Sequence, residues 1–203
     1  MEQTNSSHTQ AQRQTFIDTF LAKNAQLNLS AIRDADGVFV KHVLDALEIT
    51  KLHDIAEQFA QSGKAVIDVG TGWWVPLLPL ATYFPETQFT GLDSVRKKTI
   101  AVQDMANTLW LHNVTTVWAR AEEHKVQYDI LTARAMSSVE NLFSWCYHLV
   151  KKWWLFVLYK MYTEEEDALL YSLAAQRKLA FVHEHFYTLY EGDIQRVIYV
   201  LQK

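Results

Sequence analysis

The sequence predicts an α/β fold: a mostly parallel, doubly wound sheet with an antiparallel C-terminal strand and an N-terminal helical extension. Two observations carry this. From Lys64 to Lys178, short apolar runs of strand type alternate with segments of helical period. That alternation calls for right-handed crossovers and a sheet covered on both faces. The last two strand-like segments are joined by a turn too short for a crossover, so they must pair antiparallel. The chain has 203 residues, 49% apolar and 21% charged, which suits one globular domain and excludes disorder.

Residues 1–10 read as a mobile polar tail, 11–62 as the helical extension and 63–203 as the core. From Ala11 to Leu27, Phe16, Ile17, Phe20, Leu21 and Leu27 recur at helical spacing. A second helix is expected from about Asp36 to Gln61, striped by Val38, Phe39, Val43, Leu44, Leu47, Leu52, Ile55 and Phe59 and stopped by Gly63. Lys64 to Val69 is a buried strand running into Gly70, Thr71 and Gly72. Pro76 to Tyr83 reads as helix, Gln88 to Leu92 as a strand ending at Asp93, Arg96 to Leu111 as helix and Val114 to Ala119 as strand. Tyr128 to Ala133 follows as strand, Val139 to Leu149 as helix and Leu155 to Tyr159 as the fifth strand. Thr163 with Glu166 forms a capping-box pattern opening a helix. Ala180 to Tyr190 and Arg196 to Gln202 close the chain as strands around a Glu191-Gly192-Asp193 turn.

Several classes are disfavoured. The longest apolar run, Trp73 to Ala81, is far shorter than the roughly 18 residues of a membrane span and holds two prolines. The polar N-terminus has no apolar core of a signal peptide, and the single Cys146 cannot build a disulfide framework, so a reducing cytoplasm is expected. A net charge of -4 argues against indiscriminate nucleic-acid binding but allows a local basic patch. His183 and His185 alternate along one strand face with no third ligand evident, so no metal site is expected.

The strongest local signal is Val66-Ile67-Asp68-Val69-Gly70-Thr71-Gly72. A strand ending in closely spaced glycines lets backbone approach a ligand, and open parallel sheets bind ligands at their carboxyl edge. The next strand ends in Asp93, whose carboxylate can accept both hydroxyls of a ribose. Either feature alone fits an ordinary β–α turn with a capping carboxylate; together, in this order, they point to a nucleoside cofactor. A dinucleotide fingerprint would put its third glycine where Val75 stands, and the turn holds no P-loop lysine. Phosphate-rich cofactors lose ground on both counts, and S-adenosyl-L-methionine leads.

Asn28-Leu29-Ser30-Ala31-Ile32-Arg33-Asp34 and Lys41-His42-Val43-Leu44-Asp45-Ala46-Leu47 resemble the N-terminal signature of the RsmG (glucose-inhibited division protein B) family. Asp68-Val69-Gly70-Thr71-Gly72, Leu78-Pro79-Leu80-Ala81, Leu92-Asp93-Ser94, Arg120-Ala121-Glu122-Glu123 and Thr132-Ala133-Arg134-Ala135 are similar to its later motifs, in order. The resemblance covers about residues 12 to 203. It implies a Rossmann-like class I methyltransferase in the cytoplasm that moves a methyl group from S-adenosyl-L-methionine to N7 of a guanine in 16S rRNA, with the small ribosomal subunit as partner. Gly70, Gly72 and Val75 would then lie along the cofactor loop, Asp93 at the ribose, and Ala121 and Glu122 beside the adenine. Arg134 would sit at the mouth of the cleft, facing the cofactor carboxylate or an RNA phosphate; a surface ion pair is the plain alternative.

Guanine N7 already presents a lone pair, so the methyl step needs no general base, and none is assigned. Catalysis then rests on positioning and electrostatics. Asn28, Arg33, His42 and Asp45 are candidates for holding the nucleotide, the last two sharing a helix face. Arg96-Lys97-Lys98 and Lys151-Lys152 are candidate RNA contacts. Two other readings stay open: a methyltransferase for another substrate, and a non-catalytic RNA- or ribosome-binding relative whose pocket is plugged by Trp73 and Trp74.

The composition is odd in one respect. An average chain this long carries roughly 14 glycines, and this one has 6, with 7 tryptophans. The resembled family usually has glycine where this chain has Trp74, Leu77 and Trp110 and at the turn before its fifth strand, here Trp153-Trp154; Trp73 stands at a normally small position. Either the tryptophans are genuine and reshape the cleft, or UGA codons for glycine have been read as tryptophan. The second explanation accounts for both anomalies at once, although not for Leu77.

Overall fold

The computed structural model describes residues 2–28, 30–190 and 195–203, with backbone alone at 2–13, 27 and 73. Seven strands form one sheet: β1 (Ala65–Val69), β2 (Gln88–Asp93), β3 (Val114–Trp118), β4 (Tyr128–Arg134), β5 (Val150–Met161), β6 (Ala180–Tyr187) and β7 (Arg196–Gln202). Their order is β3-β2-β1-β4-β5-β7-β6. β1 to β5 pair in parallel, and β7 runs antiparallel to both neighbours. The predicted fold class is thus observed, with the reversed strand next to the edge.

Alternate side chains feed two apolar layers, as the two-residue period of a strand requires. Val66, Leu155, Val157, Ile198 and Val200 face one layer; Ile67, Val69, Phe156, Leu158, Val197 and Leu201 face the other. Helices α5 (Leu77–Tyr83) and α6 (Arg96–Thr108) cover the first face together with the N-terminal extension. Helices α7 (Val139–Cys146) and α8 (Glu164–Arg177) cover the second. Cys146 is buried there, and burial pushes its thiol up to about 12.

The extension differs from expectation in two ways. Helix α1 (Glu2–Leu27) already includes the segment read as a tail, because no glycine or proline interrupts it. The expected second helix is several pieces: α2 (Ala35–Val38), a π-helical turn (Phe39–Leu44), α3 (Asp45–Leu47), a 3-10 turn (Glu48–Lys51) and, after a break at Leu52, α4 (His53–Ala60). At the break the Thr50 hydroxyl bonds back to the Leu47 carbonyl at 2.7 Å, competing with helix continuation.

Strand β5 also begins earlier than expected, at Val150, so Trp153 and Trp154 lie inside it rather than in a preceding turn. Extra residues enter where Tyr128 pairs with Val150 but Ile130 pairs with Leu155. The C-terminus stitches this bulge: Trp153 N–H donates to the Lys203 carbonyl and Lys203 N–H to the Trp154 carbonyl. At α8 the Thr163 hydroxyl accepts from Glu166 N–H at 3.2 Å, but the Glu166 carboxylate turns to Lys160 at 2.6 Å. The expected 191–193 turn lies outside the described residues.

Candidate active site

After β3 the chain crosses back past β1 to form β4, so a crevice opens where the carboxyl ends of these two central strands part. It holds a cleft of about 360 Å³, within the usual range for small-ligand sites. Gly70, Asp93, Ser94, Ala121, Glu122 and Met136 are among its walls. Gly70 has φ +76, and its N–H donates to the Leu92 carbonyl at 2.8 Å, tying the β1 turn to β2. A Cβ at Gly72 would stand 2.2 Å from Lys98 Cδ and 2.5 Å from Asp93 Oδ2, so only glycine lets these close over the loop.

Asp93 is aimed by its neighbours. Gly72 N–H donates to Oδ2 at 2.9 Å and Val95 N–H to Oδ1 at 2.8 Å. A carboxylate offers about four acceptor sites, so both oxygens keep capacity for a vicinal diol. Ala121 and Glu122 open the 3-10 turn after β3 on the far wall, one buried and one exposed. Glycine at the approach, a fixed carboxylate and apolar walls fit a nucleoside-containing ligand such as S-adenosylmethionine.

Arg134, His42 and Asp45 meet, but not in this cleft. The Asp45 carboxylate is fully buried; Oδ1 accepts from the Tyr187 hydroxyl at 2.7 Å, and Oδ2 lies 2.8 Å from Arg134 Nε and 3.5 Å from Arg196 Nη1. Arg134 also donates to the Lys41 carbonyl at 2.8 Å and stands 3.5 Å from His42 Nδ1. Its guanidinium is therefore engaged by the extension, in a buried ion pair and not a surface one. Burial, with Arg134 second, holds the His42 pKa down to about 4, leaving a neutral ring. With Nδ1–H donating to the Lys41 carbonyl, Nε2 accepts from the Ser30 hydroxyl at 3.2 Å. Asn28 and Arg33 form a separate, exposed pair at 2.5 Å. Val75 is buried in the core and forms no part of the cleft wall.

Some cleft features were not singled out from sequence. Met136 and Trp145 line the cleft from the β4 loop and α7, while Lys98, expected from sequence to touch RNA, lines it from α6. Asp68, beneath the β1 turn, is buried; its Oδ1 accepts from the Thr132 hydroxyl at 2.8 Å, and burial raises its pKa to about 7. A carboxylate inside the otherwise apolar run Ala65–Val69 was the available signal. Trp74 points away from the cleft, its ring packed against Phe20 at 4.6 Å, Phe16 at 5.1 Å and His42 at 5.4 Å. The side chain of Trp73 lies outside the described residues.

The two basic clusters separate. Arg96 and Lys97 are exposed where α6 begins beside Asp93, and Arg96 lies 5.4 Å from the ring of Trp118. That indole is 59% exposed and pinned by Nε1–H donation to the Ser94 carbonyl at 3.0 Å. Lys151 and Lys152 sit at the start of β5, on the opposite edge of the sheet, with Lys151 3.0 Å from Asp129. His183 and His185 pair with Asp54 and Glu48, and among the described residues no cluster of three or more His, Cys, Asp or Glu could hold a metal. No described helix is long and apolar enough to cross a membrane.

Comparison with known proteins adds lineage to this geometry. TrmN from Thermus thermophilus superposes with a TM-score of 0.61 at 20% identity, over 78% of this chain and 48% of that one. TrmK from M. capricolum, solved with S-adenosyl-homocysteine, gives 0.57 at 16% identity over 75% and 67% of the two chains. At such identities the likeness is one of fold. Sequence relatives go further. Ribosomal RNA small subunit methyltransferase G of Aeromonas salmonicida is 38% identical over 174 residues, 84% of this chain and 78% of the relative. Its namesake in Hydrogenovibrio crunogenus is 36% identical over 165 residues, 79% and 72% of the two. The family model described as rRNA small subunit methyltransferase G (GidB) matches residues 9–196, and with relatives this similar along most of its length the chain belongs to that family.

Proposed function

We propose that this chain is an S-adenosylmethionine-dependent methyltransferase acting on N7 of a guanine in small-subunit (16S) rRNA. The observation that carries the proposal is the cleft at the parted ends of β1 and β4, with Gly70 on one strand end and Asp93 on the next, in a member of this family. When bound, S-adenosylmethionine supplies an electrophilic sulfonium methyl that guanine N7 attacks with its own lone pair, so no proton leaves and no general base is required. The chain's work is then to hold and orient. Asp93 would take the ribose hydroxyls, Gly70 would let backbone approach the methionyl half, Gly72 would hold Asp93 in place through its N–H, and Ala121 and Glu122 would border the base. Arg134, His42 and Asp45 would act at one remove, by fixing the extension against the sheet beside the cleft. Arg96 lies beside the exposed Trp118 indole, on which an unpaired base can stack, and the neighbouring Lys97 is free to meet a phosphate.

Trp74, one ground for a plugged and inactive relative, packs away from the cleft. The test is incubation with unmodified small ribosomal subunits and labelled S-adenosylmethionine, followed by chain scission at 7-methylguanosine. The expected outcome is label at a single guanine N7; label on small metabolites but not on subunits or free 16S rRNA would replace this reading with another methyltransferase.

A further inference from the structure

Three of the seven tryptophans hold the left-handed backbone region: Trp74 at φ +55, Trp110 at φ +56 and Trp153 at φ +72. Only a few per cent of non-glycine residues adopt such φ values, mostly Asn, Asp and His, and a bulky side chain there is an outlier. Each sits in a motif with its own demand for this conformation. Trp74 ends the 3-10 turn Thr71–Trp73 of the cofactor loop, its N–H donating to the Thr71 carbonyl. Trp110 terminates α6 in a Schellman arrangement: Leu111 N–H bonds the Ala106 carbonyl at 2.9 Å and Trp110 N–H the Asn107 carbonyl at 3.1 Å. The left-handed residue of that motif is usually glycine. Trp153 occupies the bulge in β5, another place where glycine supplies positive φ.

Two of the three side chains bury little in return. Trp110 and Trp153 are 78% and 66% exposed. Trp74 is fully buried, yet among the described residues its Nε1 has no hydrogen-bond partner, an omission costly for a buried donor. Trp118 and Trp145, in contrast, have ordinary right-handed or extended backbone in β3 and α7. The same chain has less than half the usual number of glycines.

We propose that residues 74, 110 and 153 are glycine in the native protein, encoded by UGA in a translation system that reads this codon as glycine. Base pairing then requires a glycine-accepting tRNA with a UCA anticodon. One codon reassignment explains three strained backbones and a partnerless indole N–H, and it narrows the deficit of glycine. It also removes one of the two indoles from the loop between Gly72 and Pro76.

Tandem mass spectrometry of peptides from the protein purified from its source organism decides the matter. Glycine at 74, 110 and 153, with tryptophan at 118 and 145, is the expected result; tryptophan at any of the three overturns the proposal. A second measurement reads the strain directly. Trp110→Gly and Trp153→Gly, which open no cavity, should each shift the folding equilibrium about fivefold toward the folded state, relief of left-handed strain exceeding the added chain entropy of glycine. Trp118→Gly should shift it the other way. Loss of stability at both 110 and 153 would contradict the assignment.

Discussion

Asp93 and Asp68 are two carboxyl groups at neighbouring strand ends in different settings. Two backbone N–H groups fix the orientation of Asp93, and Asp93→Ala should lower S-adenosylmethionine affinity by about 10- to 100-fold in calorimetry, the loss of its hydrogen bonds to the ribose. Unchanged affinity would remove Asp93 from the cofactor site. Asp68 is held proton-bearing by burial, its folded pKa near 7 against an ordinary 3.8. Above about pH 4 the unfolded chain releases this proton while the folded chain keeps it, so Asp68 erodes stability as pH rises from about 4 to 7. His42 works in the opposite sense. Its folded pKa near 4 lies below the ordinary 6.5, so unfolding takes up a proton in that window and stability rises with pH. Asp68→Asn should therefore leave a profile that climbs from pH 4 to 6.5 and gain on the order of 3 kcal/mol near neutrality by urea titration. An identical profile in the variant would show that Asp68 ionises normally. Asp93 was legible in sequence because its place after a second strand is a positional signal. The commitment of Arg134 to Asp45 was not, because it joins residues far apart in the chain through a buried network that no local pattern encodes.

The extension is joined to the sheet through side chains that pass between elements. Asp45 of α3 receives Arg134 from β4, Tyr187 from β6 and Arg196 from β7, and Tyr159 of β5 donates to the Ala46 carbonyl at 2.8 Å. Removing the charge of Asp45 leaves two mostly buried guanidinium groups uncompensated, so Asp45→Asn should cost about 3–5 kcal/mol, against about 1 kcal/mol for Tyr159→Phe. Denaturant titration of both variants checks the order; equal losses would mean that the network adds nothing beyond neutral hydrogen bonds. Strands and helices of the core were readable because burial imposes strict periods on Val66, Ile67 and Val69 or on Leu142, Phe143 and Cys146. The extension was less so. Its apolar stripe is the same for an α-helix and for a helix relaxed by a π turn, and the choice between them lies in packing against the sheet. The early start of β5 was hidden for a similar reason: its first residues are held by the C-terminal Lys203, a partner distant in sequence.

At the scale of the whole molecule, the net charge of -4 and the proposed RNA substrate pull in opposite directions, and the fold resolves this by position. Parallel strands send every carboxyl end to one edge of the sheet. The basic start of α6, which follows the end of β2, therefore lands beside the cleft, while Lys151 and Lys152, at the beginning of β5, land on the opposite edge. Only the first cluster can touch an RNA whose target base enters the cleft. Each phosphate contact releases counterions, so the salt dependence of binding counts the cations engaged, whatever the charge of the remaining surface. Replacing Arg96 and Lys97 with Gln should flatten the slope of log affinity against log salt by about 0.7–0.9 per residue. The same replacement at Lys151 and Lys152 should leave both slope and affinity unchanged, since Lys151 already spends its charge on Asp129. Binding of 16S rRNA fragments at several salt concentrations separates the two edges: a slope that responds to Lys151 and Lys152 but not to Arg96 and Lys97 would place the RNA on the wrong side of the sheet for transfer from this cleft.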